Sequence, residues 1–108
     1  MKRTIVFYNV TSNKFIEAIE FESDFTSYIH KIIVDRLFYE CANGGIFASH
    51  VCAAVYHSDF YSRDCTNPDL DNAYSTIYEV RIDASDYPVL DADLKVNGRF
   101  IRRINIAS

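Results

Sequence analysis

The sequence contains few of the residues that interrupt or cross-link a chain. Its 108 residues include three glycines, two prolines and three cysteines, and tryptophan is absent. Such a composition excludes a low-complexity linker or a solenoid of repeats. An odd number of cysteines without a Cys-x-x-Cys pair argues against a disulfide framework. We therefore expect reduced thiols and a single folded domain spanning residues 1–108.

Long hydrophobic runs are also missing. The first apolar run is soon interrupted by Asn9, Ser12 and Lys14, which makes it too short for a signal peptide or a membrane span. We therefore expect a cytoplasmic protein with no membrane partner. Aromatic side chains are abundant instead, with eight phenylalanines and eight tyrosines, and their burial at roughly 25 cal/mol per Å² can stabilise a core.

Acidic residues are absent from Leu94 to Ser108, where Lys95, Arg99, Arg102 and Arg103 give a charge of +4. Because the whole chain carries −4, the first 93 residues carry −8. An acidic body repels phosphate, which disfavours direct binding to nucleic acid. It favours a protein partner with a basic surface. The oligomeric state does not follow from this pattern.

Hydrophobic patterning predicts an α+β fold, with a mainly antiparallel sheet and about three helices packed on it. The Asn97-Gly98 pair predicts a two-residue hairpin in which Asp93 faces Arg102, and the return strand is expected to contain a bulge or to lie at an edge of the sheet. The predicted strands are residues 4–8, 76–83, 89–96 and 99–106. The predicted helices are 12–21, a helix from 23 or 24 to 43, and 49–60. Residues 62–72 read as an exposed loop.

Two histidines and two cysteines lie close together in the sequence. They are His50, Cys52, His57 and Cys65, and together they could supply four ligands to zinc. Their spacing matches no common structural zinc pattern. The sequence therefore predicts core cysteines and surface histidines, with no metal.

Three blocks of sequence, in this order, resemble the ADP-ribosyltransferase-like family. The first is Phe-Tyr-Asn-Val-Thr-Ser at 7–12, followed by an apolar segment at 15–19. The second is Gly-Gly-Ile-Phe-Ala-Ser at 44–49, which continues to Ala53, Ala54 and Tyr56. The third is Ile-Tyr-Glu-Val-Arg-Ile-Asp at 77–83, leading to Val-Leu-Asp at 89–91. Residues 82–86 are also similar to a segment in an anti-CRISPR group of that family.

This resemblance implies an NAD pocket. Asn9, Thr11 and Ser12 would face the nicotinamide ribose and amide, and Phe47, Ser49 and Tyr56 would frame the pocket. The chain departs from the family in two respects: Asn9 replaces the usual histidine, and no acid follows Asp93 on a late strand. The family's late acid stabilises the oxocarbenium-like centre, so its loss removes most of the catalytic advantage. Glu79 is a weak substitute, because a mid-strand glutamate is more often a solvated charge.

Two functions follow from these observations. The first is a small, acidic, non-enzymatic binding protein or inhibitor without a cofactor, of the anti-CRISPR kind encoded by phages and mobile elements, on a degenerate ADP-ribosyltransferase-like scaffold. The alternative is a minimal NAD-dependent ADP-ribosyltransferase. The missing late carboxylate favours the first.

Overall fold

The computed structural model describes residues 3–21, 27–43, 50–56, 75–82 and 91–105. Within these ranges the chain forms six strands and one helix. In chain order they are β1 (Arg3–Asn9), β2 (Lys14–Phe21), α1 (Ser27–Asn43), β3 (His50–Tyr56), β4 (Ser75–Ile82), β5 (Asp91–Val96) and β6 (Arg99–Asn105). Among the described residues, no helix is long and apolar enough to cross a membrane.

The six strands form one sheet in the order β2-β1-β3-β4-β5-β6, with every neighbouring pair antiparallel. Helix α1 packs on β3 and β4. Its buried residues Ile33, Val34 and Leu37 join the inward side chains of the sheet, including Phe7 and Val80, in the main core. One face of the sheet therefore packs against α1. The strand residues between the inward ones project from the other face.

The third predicted helix, 49–60, is wrong where it can be compared. Residues 50–56 form strand β3, every residue of which except His50 is buried. The strand lies between β1 and β4, and its residues are buried on both faces of the sheet, so the apolar run is continuous rather than alternating. A short continuous run cannot be assigned from periodicity alone. Residues 57–60 lie outside the described ranges.

The first predicted helix, 12–21, is also wrong, because residues 14–21 form strand β2. The pairing with β1 shifts between Phe7 and Tyr8: Phe7 pairs with Glu17, but Tyr8 pairs with Phe15. Ile16 is thus the extra residue of a bulge. A bulge interrupts the two-residue alternation of a strand, so the apolar residues of β2 acquired a spacing like that of a helix. The expectation of about three packed helices is therefore corrected to one within the described residues.

The other predicted elements correspond to β1, α1, β4 and the β5–β6 hairpin. Positive φ angles of 50° at Asn97 and 79° at Gly98 fit the two-residue turn that was predicted. Asp93, however, faces Arg103 rather than Arg102, because the register shifts between Leu94 and Lys95. The predicted start of α1 at 23 or 24 and the loop at 62–72 lie outside the described residues.

Candidate functional site

The face of the sheet away from α1 brings together a histidine, a cysteine and a glutamate. His50 and Cys52 are two residues apart on β3 and therefore share a face. Glu79 lies directly opposite Cys52 on β4. Tyr8 lies opposite Cys52 on β1, so the cluster occupies the middle of the sheet.

The three side chains are in direct contact through their polar atoms. The Nε2 atom of His50 lies 2.7 Å from Oε2 of Glu79 and 3.7 Å from Sγ of Cys52. The side chains of His50 and Glu79 are 23% and 25% exposed, whereas Cys52 is buried. Burial, assisted by the negative charge of Glu79, raises the pKa of the Cys52 thiol to about 12.

This arrangement differs from that of an activated cysteine nucleophile. One nitrogen of His50 faces both the carboxylate and the thiol, so an Nε2 that donates its proton to Glu79 has no lone pair to accept one from Cys52. A reactive cysteine also needs a lowered thiol pKa, and that of Cys52 is raised to about 12. The cluster instead brings together a nitrogen, a sulfur and an oxygen atom that can each bind a metal ion, all within 4.8 Å of one another.

The backbone around this cluster is fixed by the β1–β2 turn. The N–H of Val10 donates to the carbonyl of His50 at 2.7 Å, which extends the β1–β3 pairing to the end of the strand. The hydroxyl of Tyr8 is hydrogen-bonded to Oδ1 of Asn13, a residue with a φ of 56°. The turn therefore anchors the buried Tyr8 beside Cys52.

A second notable surface is the edge strand β6, which pairs only with β5 among the described strands. Every residue of β6 except Ile104 is exposed, and Phe100 and Ile101 are large apolar side chains with exposures of 55% and 48%. Arg103 donates to both carboxylate oxygens of Asp93, at 2.6 and 3.2 Å. In the described part of the chain, neither Arg99 nor Arg102 has an acidic partner. The edge is thus both apolar and basic.

Most acidic side chains in the described strands and helix face basic groups of the same chain. Arg36 binds Glu17 at 3.0 Å and Glu40 at 2.8 Å. His50 and Arg103 bind Glu79 and Asp93, respectively. Eight of the fifteen acids lie outside the described ranges. Among the described residues, the clearest unmatched charge is therefore the positive charge of Arg99 and Arg102 on β6. The acidic surface that the sequence predicts is less evident there.

The residues predicted to bind NAD fall into three groups. Asn9, Thr11 and Ser12 lie at the end of β1 and in its turn, where Oδ1 of Asn9 accepts a hydrogen bond from the N–H of Ser12 at 3.0 Å. Tyr56 is buried with Val6 and Ala54 at the other end of β3, about 16 Å along the strand from the residue paired with Asn9. Phe47 and Ser49 lie outside the described residues. NAD binding stays a prediction.

Glu79 is the residue whose partners the sequence did not reveal. It was expected to be a solvated strand charge, but it is half-buried and hydrogen-bonded to His50. Of the four zinc-ligand candidates, His50 and Cys52 meet, and His57 and Cys65 lie outside the described ranges. The useful signal was the His-x-Cys spacing. In a strand it places both side chains on one face, whereas in the predicted helix they would not face each other.

Comparison of the chain with protein-family models, curated proteins and solved structures finds no match.

Proposed function

We propose that this protein is a non-enzymatic binding protein that docks an extended, acidic segment of a partner protein along β6. The observation that supports this most strongly is the exposure of Phe100 and Ile101, at 55% and 48%, on a strand with three arginines. An edge strand offers main-chain donors and acceptors to an added strand, and alternate side chains supply specificity. The free thiols of Cys41 and Cys52 suit a reducing cytoplasm.

Charge selects the occupant of this edge. If β6 paired with β6 of a second copy, it would bring two sets of arginines together, and like charges that face each other across strands are destabilising. Charged edge strands are a common protection against such self-pairing. An acidic strand has the opposite effect, because its carboxylates can bind Arg99 and Arg102 while its apolar residues cover Phe100. A basic partner for the acid-rich remainder of the chain stays a separate prediction.

The binding assignment is preferred to an enzymatic one because of the chemistry of the central cluster. The thiol of Cys52 is held in its protonated form by burial, with its pKa raised to about 12. His50 directs Nε2 to Glu79 at 2.7 Å. These three residues therefore do not form the thiolate–imidazolium pair of an activated cysteine nucleophile.

The proposal is tested by calorimetric titration of the full chain with a short peptide of alternating glutamate and valine. A peptide of alternating lysine and valine serves as the matched ligand. We expect the glutamate peptide to bind, with an affinity that falls as salt is added because the exposed charges are screened. Arg102→Glu should weaken binding about tenfold, the equivalent of 1.4 kcal/mol.

Lys14→Glu on β2 is the matched control, since it makes the same charge change on the other outer strand of the described sheet. It should leave the affinity for the glutamate peptide within about twofold of the original chain, because the contact lies at the far edge. Tighter binding of the lysine peptide would contradict the proposal and favour the acidic surface instead. An equal loss in Lys14→Glu and Arg102→Glu would mean that only net charge matters.

A further inference from the structure

We propose that His50, Cys52 and Glu79 form a binding site for one Zn²⁺ ion. The site combines an imidazole nitrogen, a thiol sulfur and a carboxylate oxygen, all within 4.8 Å of one another. These are the three donor types that zinc uses in proteins. The site is separate from β6, since Glu79 lies on β4 and β5 lies between β4 and β6 in the sheet.

Two of the three pairs of ligand atoms lie within about 0.6 Å of their separations in a tetrahedral zinc site. With Zn–S of about 2.3 Å and Zn–N of about 2.0 Å, the two ligand atoms lie about 3.5 Å apart. Sγ of Cys52 and Nε2 of His50 are separated by 3.7 Å. Nε2 of His50 and Oε2 of Glu79 must move apart by about 0.6 Å from 2.7 Å, since tetrahedral N and O ligands are separated by about 3.3 Å. Rotation of the partly exposed Glu79 side chain can provide this.

The backbone places the three side chains on one face of the sheet, next to one another. His50 and Cys52 project from the same face of β3, and Glu79 is the residue opposite Cys52 on β4. The ion would take the place of the direct contact between His50 and Glu79 at 2.7 Å, and the Cys52 thiol would release its proton to solvent on binding. Both sheet neighbours of Cys52 are held by strand pairing, which fixes the backbone of the site while the Glu79 side chain can still rotate.

The donor set favours zinc over the common hard cations. Mg²⁺ and Ca²⁺ are bound almost entirely by oxygen atoms, whereas this site offers only one oxygen-bearing side chain. Thiolate and imidazole together suit zinc and chemically similar divalent ions. His50 and Glu79 are 23% and 25% exposed at their side chains, so an ion can enter from solvent and keep a water molecule as its fourth ligand.

The test is titration of the full, metal-free chain with Co²⁺, a spectroscopic substitute for zinc, followed by displacement with Zn²⁺. We expect one equivalent of Co²⁺ to produce the near-ultraviolet charge-transfer absorption of a thiolate ligand and the intense visible bands of tetrahedral cobalt. Addition of Zn²⁺ should remove both. Cys52→Ser should lose the charge-transfer absorption. His50→Gln and Glu79→Gln should each weaken binding at least tenfold, a cost that even outer-sphere changes can carry.

Matched controls separate this site from other thiols and histidines. Cys41 and His30 belong to α1, on the opposite face of the sheet, where Sγ of Cys41 lies 3.8 Å from the carbonyl oxygen of Val80. Cys41→Ser and His30→Asn should leave cobalt binding unchanged. Far-ultraviolet circular dichroism of each variant shows whether it folds, and the partly exposed Glu79 provides a variant that preserves the buried core.

Several results would overturn the assignment. One is a failure of the chain to bind one equivalent of Co²⁺ or Zn²⁺. Another is cobalt binding without thiolate absorption, or with absorption that persists in Cys52→Ser. A third is unchanged affinity in folded Glu79→Gln together with loss of binding in His57→Asn or Cys65→Ser, which would assign the ion to a different ligand set.

Discussion

Glu79 binds His50 diagonally across the sheet, with 2.7 Å between Oε2 and Nε2, although Lys95 lies directly opposite Glu79 on β5. Diagonal neighbours on adjacent strands are within reach of long side chains. The carboxylate thus faces an imidazole and a buried thiol rather than the ammonium group of its cross-strand partner. This preference explains why the cluster at Cys52 is compact.

The raised pKa of Cys52 predicts a loss of stability at high pH. Burial shifts the thiol from its usual pKa of 9.0 to about 12 in the folded chain, so between these values the unfolded chain has released a proton that the folded chain retains. The free energy of unfolding should then fall as pH rises, by up to about 1.4 kcal/mol per pH unit. Below pH 9 this contribution should be constant.

Denaturant unfolding with a chelator present, from pH 8 to pH 10.5, checks this prediction. Cys52→Ala lacks the thiol, and its stability should depend less steeply on pH above 9. Parallel curves for the two proteins would contradict the assignment, whereas a difference in absolute stability at pH 8 would report only the cavity that the alanine leaves.

Arg36 joins the helix to the sheet, and its replacement should weaken that contact. It binds Glu17 on β2 and Glu40 one turn along α1, and its guanidinium lies 5.4 Å from the centre of the Phe7 ring. The hydrogen bond with Glu40 raises the pKa of Arg36, and contact with Glu17 contributes to the same shift.

Arg36→Gln should lower the free energy of unfolding by about 1–2 kcal/mol, combining two partly exposed ion pairs and one cation–π contact. Lys31→Gln is the control, since Lys31 is an exposed cation of the same helix with no ion pair among the described residues. Chemical denaturation measures both changes. Equal stabilities for the two variants would mean that the Arg36 contacts contribute nothing net.

Asn97 holds the β5–β6 hairpin to β4. Its backbone N–H donates to the carbonyl of Ile77 at 2.8 Å, and its side-chain oxygen accepts from the N–H of Ile77 at 2.8 Å. Its φ of 50° lies in the left-handed region. Asn97→Gly should cost about 0.5–1.5 kcal/mol from the side-chain hydrogen bond. Asn97→Ala should cost about 1 kcal/mol more, because alanine is strained at this φ; equal losses in thermal unfolding would exclude that strain.

The observed hairpin register predicts which arginine is coupled to Asp93. Arg103 faces Asp93 and donates two hydrogen bonds to it. A double-mutant cycle with Asp93→Asn and Arg103→Gln should give a coupling of about 0.5–1 kcal/mol, typical of an exposed pair with good geometry. The cycle with Arg102→Gln should give almost none. Coupling to Arg102 instead would indicate the bulge-free register.

Sequence patterning is sufficient for elements whose periodicity is uninterrupted. Strand β4 alternates, α1 repeats its apolar residues every three or four positions, and Asn97-Gly98 carries the turn signal. Patterning failed in β2, where the extra Ile16 breaks alternation, and in β3, which is buried on both faces. Each error concerns a tertiary contact that periodicity does not contain.

The candidate cluster shows the same limit. The sequence alone identifies His50, Cys52 and Glu79 as candidates, but it predicts a helix where β3 lies and therefore does not place the three side chains on one face. The β6 edge was predicted as a strand, yet the exposures of Phe100 and Ile101, at 55% and 48%, require a folded chain. The sequence therefore identifies the side chains that can bind or react, and only the folded structure shows which of them lie together.

The most direct test of the docking proposal is residue-resolved amide hydrogen exchange of the full chain with and without the glutamate–valine peptide. An added strand hydrogen-bonds to the outer side of an edge strand. We expect slower exchange at alternate amides of Arg99–Asn105 and little change in β2 at Lys14–Phe21. Protection confined to β2, or unchanged exchange in β6 at a peptide concentration that saturates binding, would contradict it.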